Sequence, residues 1–243
     1  IIVADPYIMS LAKKLNLKLE VHVSTQLSTM NTSAIHFYEN LGVDRVVFAR
    51  EVDYQDLKEV REKVDIDLEY FIHGAMCIHY SGRCMLSNYF SRRDANRGGC
   101  SQSCRWYYDI FEKGQQLNHD EIVPFSMSSK DMSLVDELPK LIELGVDSFK
   151  IEGRMKTALY VATVARTYRL AIDEFLQDPE LYKSRIPFYK SEIQKCTYRQ
   201  YTTGFFFGKP DENSQIYDSN TYVKEYTYLG IIGEEKDGLY RIE

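Results

Sequence analysis

The chain up to residue 178 repeats one arrangement of apolar and polar positions: an apolar strand, a turn, and a helix with one apolar face. The predicted strands are, in order, "IIVAD", "KLEVHVST", "DRVVFAR", "DLEYFIHG" and "DSFKIEG". The predicted helices are "PYIMSLAKKLN", "SAIHFYENLG", "DYQDLKEVREKV", "SLVDELPKLIELG" and "ALYVATVARTYRLAIDEFLQ". Five strand–helix units in series predict a parallel sheet with helical crossovers.

Two architectures contain such a sheet, an open doubly wound sheet and a (β/α)8 barrel of the TIM type. No predicted strand is followed by a G-x-G-x-x-G turn, so a dinucleotide-binding doubly wound fold lacks its most specific sequence mark. Because the chain starts inside a strand, the five units fit a barrel that lacks about its first three. We therefore expect an α/β fold, an incomplete (β/α)8 barrel whose N-terminal units are missing.

The expected domain organisation has three parts. Residues 1–178 form the partial barrel and carry a cysteine-rich insertion at 74–106, after the fourth strand. Residues 179–221, with many aromatic and turn residues, form a connector. Residues 222–243 have the pattern of a β-hairpin, and we expect them to begin a small C-terminal β domain that is truncated here.

Several predicted strands end in polar or ionisable residues. They are Asp5, the stretch 24–26, His73, and the pair Glu152 and Arg154. In a (β/α)8 barrel the carboxyl ends of the strands carry the chemistry. These positions therefore predict a site at that edge of the sheet.

Composition narrows the class of protein. Hydrophobic residues make up 44% of the 243 residues and charged residues 27%, which is the balance of a soluble globular protein. The net charge of −6 means that contact with a nucleic acid would require a local basic patch. No stretch approaches the roughly 20 apolar residues of a membrane span. We expect a cytoplasmic protein whose cysteines are reduced or hold a metal.

Four of the five cysteines are clustered, with the spacing C-x6-C-x15-C-x3-C, and Cys196 lies far outside the cluster. The clustered residues are Cys77, Cys84, Cys100 and Cys104. Four thiols so close together favour a metal centre, because thiolates bind both zinc and iron–sulfur clusters. The spacing differs from the paired C-x2-C of a zinc ribbon. The alternative interpretation is a group of ordinary buried cysteines beside a solvated basic loop.

The surroundings of the cysteines support a metal centre. Five arginines fall in the same segment and would offset the negative charge of four thiolates: Arg83, Arg92, Arg93, Arg97 and Arg105. Four glycines there would allow a close approach of the backbone: Gly74, Gly82, Gly98 and Gly99.

Several stretches resemble the collagenase-like peptidase family of unknown catalytic type. They are "LEYFIHGAMCIHYSGRCMLSNYF", "RDANRGGCSQSCRW", "SSKDM", "FKIEGRMKT" and "TTGFFFG". The core signature of that family falls on Glu69, Gly74, Ala75, Cys77, Ser81, Gly82, Cys84 and Ser87. The resemblance extends from Glu69 to Gly208 and implies a barrel whose start is absent here.

Members of this family include oxygen-independent hydroxylases that act on tRNA uridine, on ribosomal RNA cytidine or on a ubiquinone precursor. The resemblance implies a 4Fe–4S cluster held by the four clustered cysteines, with zinc as the second choice of metal. It also implies prephenate as the source of the hydroxyl group. The stretch "RDANRGGCSQSCRW" is most similar to the tRNA-modifying branch, whose product is 5-hydroxyuridine at the wobble position.

Three residues are candidates for proton transfer. Glu69 and His73 lie four apart on one strand, so both point to the same face. Glu152 lies at the end of the next strand of the repeat. For each of them a buried, hydrogen-bonded structural role is the competing interpretation.

Five residues are candidates for binding substrate. Lys150 and Arg154 share a face of the "KIEGRMK" strand, and with Arg83 they offer cations for a dicarboxylate such as prephenate. His22 and Gln26 are expected to share a face of the second strand. A salt bridge of Glu152 with Arg154 or Lys150 is the competing interpretation for that group.

Two other functions stay open. One is the peptidase activity of the family name, although the sequence contains neither H-E-x-x-H nor G-x-S-x-G. The other is a non-catalytic role as the partner of a related hydroxylase chain, because some members of the family work in pairs.

Overall fold

The computed structural model describes residues 1–16, 18–117, 125–217, 219 and 221–242. In these residues the helices are α1 Pro6–Lys14, α2 Thr32–Asn40, α3 Tyr54–Arg61, α4 Leu86–Ser91, α5 Leu138–Leu144, α6 Ala158–Gln177 and α7 Pro179–Gln194. The strands are β1 Ile2–Val3, β2 His22–Val23, β3 Arg45–Val47, β4 Asp67–Ala75, β5 Tyr107–Tyr108, β6 Phe111–Glu112, β7 Gln115–Gln116, β8 Phe125–Ser126, β9 Ser128–Ser129, β10 Asp131–Ser133, β11 Ser148–Ile151, β12 Tyr201–Thr202, β13 Gln215–Ile216, β14 Ile232–Lys236 and β15 Leu239–Ile242.

The main sheet confirms the predicted parallel arrangement. Strands β1, β2, β3, β4 and β11 are consecutive parallel neighbours, joined by helical crossovers. This order has no reversal, and a reversal in strand order defines the doubly wound fold. The sheet does not close on itself in the described residues, so the architecture is a mixed α/β fold with a parallel sheet.

Two strands of the sheet are not predicted by the repeat. β10 pairs antiparallel with the end of β4, and β12 pairs parallel with β10. Both are only two or three residues long. A period of two cannot be recognised over so few positions, and their pairing depends on residues far away in the chain.

Helix ends follow local chemistry. The side chain of Asp5 accepts hydrogen bonds from the backbone N–H groups of Tyr7 (2.8 Å) and Ile8 (3.1 Å), and Pro6 occupies the first turn. Asp5 therefore caps α1 rather than facing a site. The helix α2 ends just before Gly42, whose φ of 79° is left-handed, as the sequence predicts.

The core lies between the sheet and its helices. The central strand β4 is buried along nearly its whole length, and the side chains of Leu68 and Ile72 are almost inaccessible to solvent. From the helices, the fully buried Leu57, Leu138 and Val164 belong to the same core. Burial of such side chains is the main favourable term in folding.

Residues 179–221 are not only a connector, because Pro179–Gln194 form the helix α7. Its buried side chains include Tyr182 and Tyr189, and it packs antiparallel along α6, where Tyr189 and Arg185 bind the carboxylate of Glu174. The sequence pattern misses this helix because polar residues and Pro187 interrupt its apolar face.

The C-terminal stretch forms the predicted hairpin, β14 with β15. None of the described helices combines the length and the apolar character that crossing a membrane would require.

Candidate functional site

A cavity of about 490 Å³ opens at the carboxyl ends of the parallel strands. Gln26 reaches it from the turn after β2, Arg50 from the turn after β3, Cys77 from the turn after β4, and Glu152 and Arg154 from the turn after β11. Three of the predicted polar strand-end residues, Gln26, Glu152 and Arg154, thus meet at one edge, whereas Asp5 and His73 do not line the cavity. Arg50 is the residue that sequence reasoning misses.

All four clustered cysteines line this cavity as free thiols. The two loops that carry them are joined by Asn96, whose side chain accepts from the backbone N–H of Cys84 (3.2 Å) and donates to its carbonyl (3.1 Å). Ser87 Oγ also accepts from the backbone N–H of Ser101 (3.1 Å), next to Cys100. Cys196, in contrast, is buried and belongs to the hydrophobic core.

The thiols influence one another electrostatically. Burial raises the pKa of Cys104 to about 11; the Arg105 guanidinium lowers this pKa, and the neighbouring thiols raise it. Burial also raises the pKa of Cys77, against the effect of Arg50. Cys77 and Cys104 are therefore neutral near pH 7, and a metal that binds them must displace their protons.

The arrangement of the thiols is relevant to the type of metal. A tetrahedral zinc ion requires four sulfurs about 3.8 Å apart, because the Zn–S bond is about 2.3 Å long. Among the described residues, no three Cys, His, Asp or Glu side chains are placed to hold a single metal ion. The four thiols line one cavity without forming such a group.

Two glycines let the backbone pass close to the site. Gly74 has φ 118°, and a Cβ there would lie 2.4 Å from the carbonyl oxygen of Glu152. Gly82 has φ 75°, and a Cβ there would lie 1.9 Å from the carbonyl oxygen of Gln26. Any side chain at either position would displace a cavity-lining residue, which confirms the expected close approach.

Glu152 is held in place on both sides of its carboxylate. Its Oε1 accepts from the backbone N–H of Arg154 (3.0 Å), and its Oε2 pairs with Arg50 Nη2 (3.3 Å). The competing interpretation, a salt bridge with Lys150 or the Arg154 side chain, is not found among the described contacts. Arg154 instead directs its guanidinium toward Gly98 in the cysteine loop.

The cavity has a cationic wall that the sequence pattern does not reveal. Lys156 and Arg199 both line it and both approach Asp131, at 3.7 Å and 3.8 Å. Arg199 is 2% exposed, and its Nε and Nη1 have no hydrogen-bond partner among the described residues. One buried carboxylate thus faces two cations, which leaves positive charge for an anionic ligand.

Arg105 has a structural part in the same region. Its guanidinium donates to the carbonyl of Met76 (2.8 Å) and to the side chain of Ser128 (2.9 Å), and its side chain is buried. These bonds anchor the β4 turn that leads to Cys77. Arg105 therefore positions the thiol loops, and both of its terminal nitrogens are engaged in these and neighbouring bonds.

Glu69 and Lys150 lie away from the cavity. Glu69 is buried and binds Lys150 Nζ (2.6 Å), Ser148 Oγ (3.1 Å) and, more distantly, Arg45 (3.8 Å). Each of these partners satisfies part of its carboxylate. The two residues form an ion pair that ties β4 to β11.

His73 is also outside the cavity. It is fully buried among the rings of Tyr160, Tyr168 and Tyr201, and its Nδ1 lies 3.2 Å from the hydroxyl of Tyr168. Burial, aided by the positive charge of Lys156, lowers its pKa to about 3. His73 is therefore a neutral core residue at physiological pH.

The buried His73 predicts a loss of stability in acid. The unfolded chain binds a proton near pH 6.5 and the folded chain does so only near pH 3, so stability is complete above pH 6.5 and falls as the pH drops toward 3. At pH 5 the expected cost from this residue is about 2 kcal/mol. Urea unfolding at pH 7 and pH 5 measures it. In His73→Gln this part of the pH dependence should vanish; an unchanged slope would contradict the assignment.

The other three substrate candidates are dispersed. His22 lies at the start of β2, where its Nε2 contacts Glu20 (3.2 Å), and it does not line the cavity. Gln26 lines it, but from a 3-10 turn beyond the end of β2, so the two do not share a strand face. Arg83 is exposed and outside the lining. The predicted shared face of His22 and Gln26 is wrong because β2 ends at Val23, before Gln26.

Comparisons with known proteins identify the family of the chain. The family model described as "Peptidase family U32" matches residues 1–216. The chain is 46% identical over 236 residues to "tRNA hydroxylation protein P1" of Bacillus subtilis (strain 168), covering 96% of this chain and 56% of that one.

Two further relatives carry different names. The chain is 35% identical over 161 residues to "23S rRNA 5-hydroxycytidine C2501 synthase" of Escherichia coli (strain K12), covering 66% of this chain and 24% of that protein. It is 37% identical over 186 residues to "Collagenase" of Porphyromonas gingivalis (strain ATCC BAA-308 / W83), covering 72% and 44%. The chain thus spans about half the length or less of these three relatives. The match over residues 1–216 shows that this chain belongs to peptidase family U32.

Proposed function

We propose that this chain carries the catalytic centre of a cytoplasmic, oxygen-independent RNA hydroxylase that converts a wobble uridine of tRNA to 5-hydroxyuridine. The single observation that carries the proposal is the meeting of four free thiols, a held carboxylate and a cationic wall in one cavity. The names of two relatives, a tRNA hydroxylation protein and an rRNA hydroxycytidine synthase, support RNA as the substrate. The consecutive parallel strands support a place for the chain in a (β/α)8 barrel.

The cofactor in this proposal is a 4Fe–4S cluster. Its ligands would be Cys77, Cys84, Cys100 and Cys104, since all four thiols line the same space and none is paired in a disulfide. When bound, such a cluster would supply iron able to accept or release an electron. The guanidinium groups of Arg50 and Arg154 offset the charge of four thiolates.

Prephenate is the proposed source of the hydroxyl group, and the protein offers it a cationic wall. Arg199 has unpartnered N–H groups, and a guanidinium can bind a carboxylate through two parallel bonds. Lys156 adds a second cation beside it. The wall thereby takes the role that the sequence suggests for Arg83.

Glu152 is the proposed group for proton transfer. It lines the cavity, whereas Glu69 and His73 do not. Its two oxygens are oriented by the Arg154 backbone and by Arg50, so a proton taken up by the carboxylate would be held at a defined place.

An exposed aromatic surface next to the thiol loops supports RNA binding. The ring of Phe90 contacts those of Tyr89 (5.1 Å) and Trp106 (5.9 Å), and Tyr89 is 81% exposed. Arg92 and Arg93 follow directly in the chain and are exposed. Stacking rings with neighbouring guanidinium groups are the usual means by which proteins hold unpaired nucleotides.

The peptidase alternative is supported by the name of the collagenase relative. It would require one thiol to act as a free nucleophile beside a base. His79 lines the cavity, but its Nε2 has no partner among the described residues. The role of partner to a related chain is a further alternative, in which the tRNA modification would depend on both chains.

The experiment that tests the proposal compares tRNA nucleosides by mass spectrometry in strains with and without the gene. We expect 5-hydroxyuridine and its derivatives to disappear on deletion and to return with the wild-type gene, but not with Glu152→Gln. A strain without a related gene that keeps these nucleosides after deletion would contradict the proposal. Hydrolysis of denatured collagen by the purified protein would favour the peptidase instead.

A further inference from the structure

A second cavity of about 260 Å³ shares a wall with the first. The shared wall is formed by Met76, Cys77, His79 and Tyr80, which line both cavities. The remaining walls come from Glu51, from the stretch after β12, and from Gln215 on β13. A ligand in this second cavity would therefore lie next to the thiol loop and outside the first cavity.

Three buried polar atoms in the walls of this second cavity have no hydrogen-bond partner in the described part of the chain. They are Glu51 Oε2, His79 Nε2 and Gln215 Oε1. The other carboxylate oxygen of Glu51 accepts from the backbone N–H of Ser81 (2.8 Å), so the carboxylate is fixed in orientation. Buried polar groups are normally paired, so three unpaired atoms around one space indicate a polar ligand.

The rest of the wall indicates a flat ligand that carries a negative charge. Tyr80 and Phe205 contribute aromatic rings. Lys130 and Lys209 contribute two ammonium groups, and within the described ranges neither is paired with a carboxylate. Ring stacking, base-edge hydrogen bonds and lysine contacts to phosphate are the three elements of single-nucleotide recognition in RNA.

We propose that the second cavity holds one unstacked nucleobase of the RNA, beside the nucleotide that reacts in the thiol-lined cavity. The phosphate of this nucleotide would lie toward Lys130 and Lys209. In naming RNA as the ligand, this inference rests on the proposed function. The cavity volume of about 260 Å³ lies below the range of about 300 to 1,000 Å³ usual for drug-sized ligands, so the cavity suits a single base rather than a longer segment.

The chemistry of the wall also selects the type of base. The unpaired Oε2 of Glu51 is a hydrogen-bond acceptor, so it favours a base edge with N–H donors. Guanine presents an imino and an amino group next to each other, whereas uracil presents one N–H. The occupant is therefore a base with an amino group, guanine above all, and differs from the uridine that is modified.

The test measures binding directly, on the anaerobically purified chain. Isothermal titration with GMP and with UMP is combined with fluorescence anisotropy of a labelled eight-nucleotide single-stranded RNA containing one guanosine. Glu51→Gln keeps the shape of the side chain but removes one acceptor, and Glu62→Gln, an exposed residue at the end of α3, is the matched control. Lys209→Ala is paired in the same way with the exposed Lys183→Ala.

We expect GMP to bind more tightly than UMP and to compete with the RNA. Glu51→Gln should weaken GMP and RNA about tenfold, and Glu62→Gln should not. Lys209→Ala should lower the slope of log affinity for RNA against log salt by about one. Iron content should be equal in all variants, which would show that the thiol site is intact.

Equal affinity for GMP and UMP would overturn the inference, and so would the absence of any effect of Glu51→Gln on GMP and RNA binding. GMP binding with which the RNA does not compete would also overturn it, because it would indicate a site for a free nucleotide. Failure of the proposed function is a separate result. If deletion of the gene leaves tRNA unchanged while Glu51-dependent RNA binding persists, the hydroxylase proposal fails and the nucleobase site stands.

Discussion

Replacing Cys84 with serine is expected to remove most of the iron and acid-labile sulfide from anaerobically purified protein. Cys84 lines the cavity with three other thiols, and its loop is held against Asn96 by two hydrogen bonds. A serine hydroxyl has nearly the same size but is a poor ligand for iron, so the loop should keep its conformation while the cluster loses one of four bonds. We expect about four irons per wild-type chain and less than about one in the variant.

Cys196→Ser is the matched control. That residue is buried in the core and away from the cavity, so iron should stay at the wild-type amount. Equal loss of iron from both variants would contradict the ligand assignment, and zinc in place of iron in the wild-type protein would contradict the choice of cluster. A broad visible absorbance band at about 400 nm in the wild-type protein is an independent measure of the iron–sulfur cluster.

Replacing Arg199 with methionine is expected to raise the KM for prephenate about a hundredfold, with a smaller effect on kcat. Its guanidinium is buried in the cavity wall, and two of its nitrogens have no hydrogen-bond partner among the described residues. Loss of one member of a buried, charged hydrogen-bonded pair costs about 2 to 5 kcal/mol. Arg199→Lys keeps the charge but loses the two-pronged geometry, so it should recover only part of the affinity.

Two measurements separate this binding role from a structural one. Arg83→Met removes an exposed arginine outside the cavity and should leave KM within about twofold of wild type. The backbone N–H of Arg199, which donates to Asp131 (3.0 Å), is retained in every variant, and thermal unfolding should show that each one folds. If Arg83→Met and Arg199→Met raise KM equally, the cationic wall is not the binding group.

The periodic pattern alone determined much of the fold. Each of the five predicted strands contains an observed strand, and the long helix spans 158–177 as predicted, because local alternation of apolar residues reflects which face is buried. The same pattern placed Gln26, Glu152 and Arg154 at one edge of the sheet, since parallel strands end together. The clustered cysteines were also recognisable, because their chemistry is carried by residue type and short spacing.

Only the tertiary structure decided which charged groups meet in the cavity. Arg50 pairs with Glu152 across 102 positions, and Arg199 lies 68 positions from Asp131. Such contacts depend on how crossovers bring distant segments together, and no local period encodes them. For the same reason His73 and Glu69, which occupy favourable positions along β4, proved to be enclosed by tyrosine rings and by an ion pair. The side chains around a strand determine whether a titratable residue on it reaches solvent, and the sequence shows only the strand.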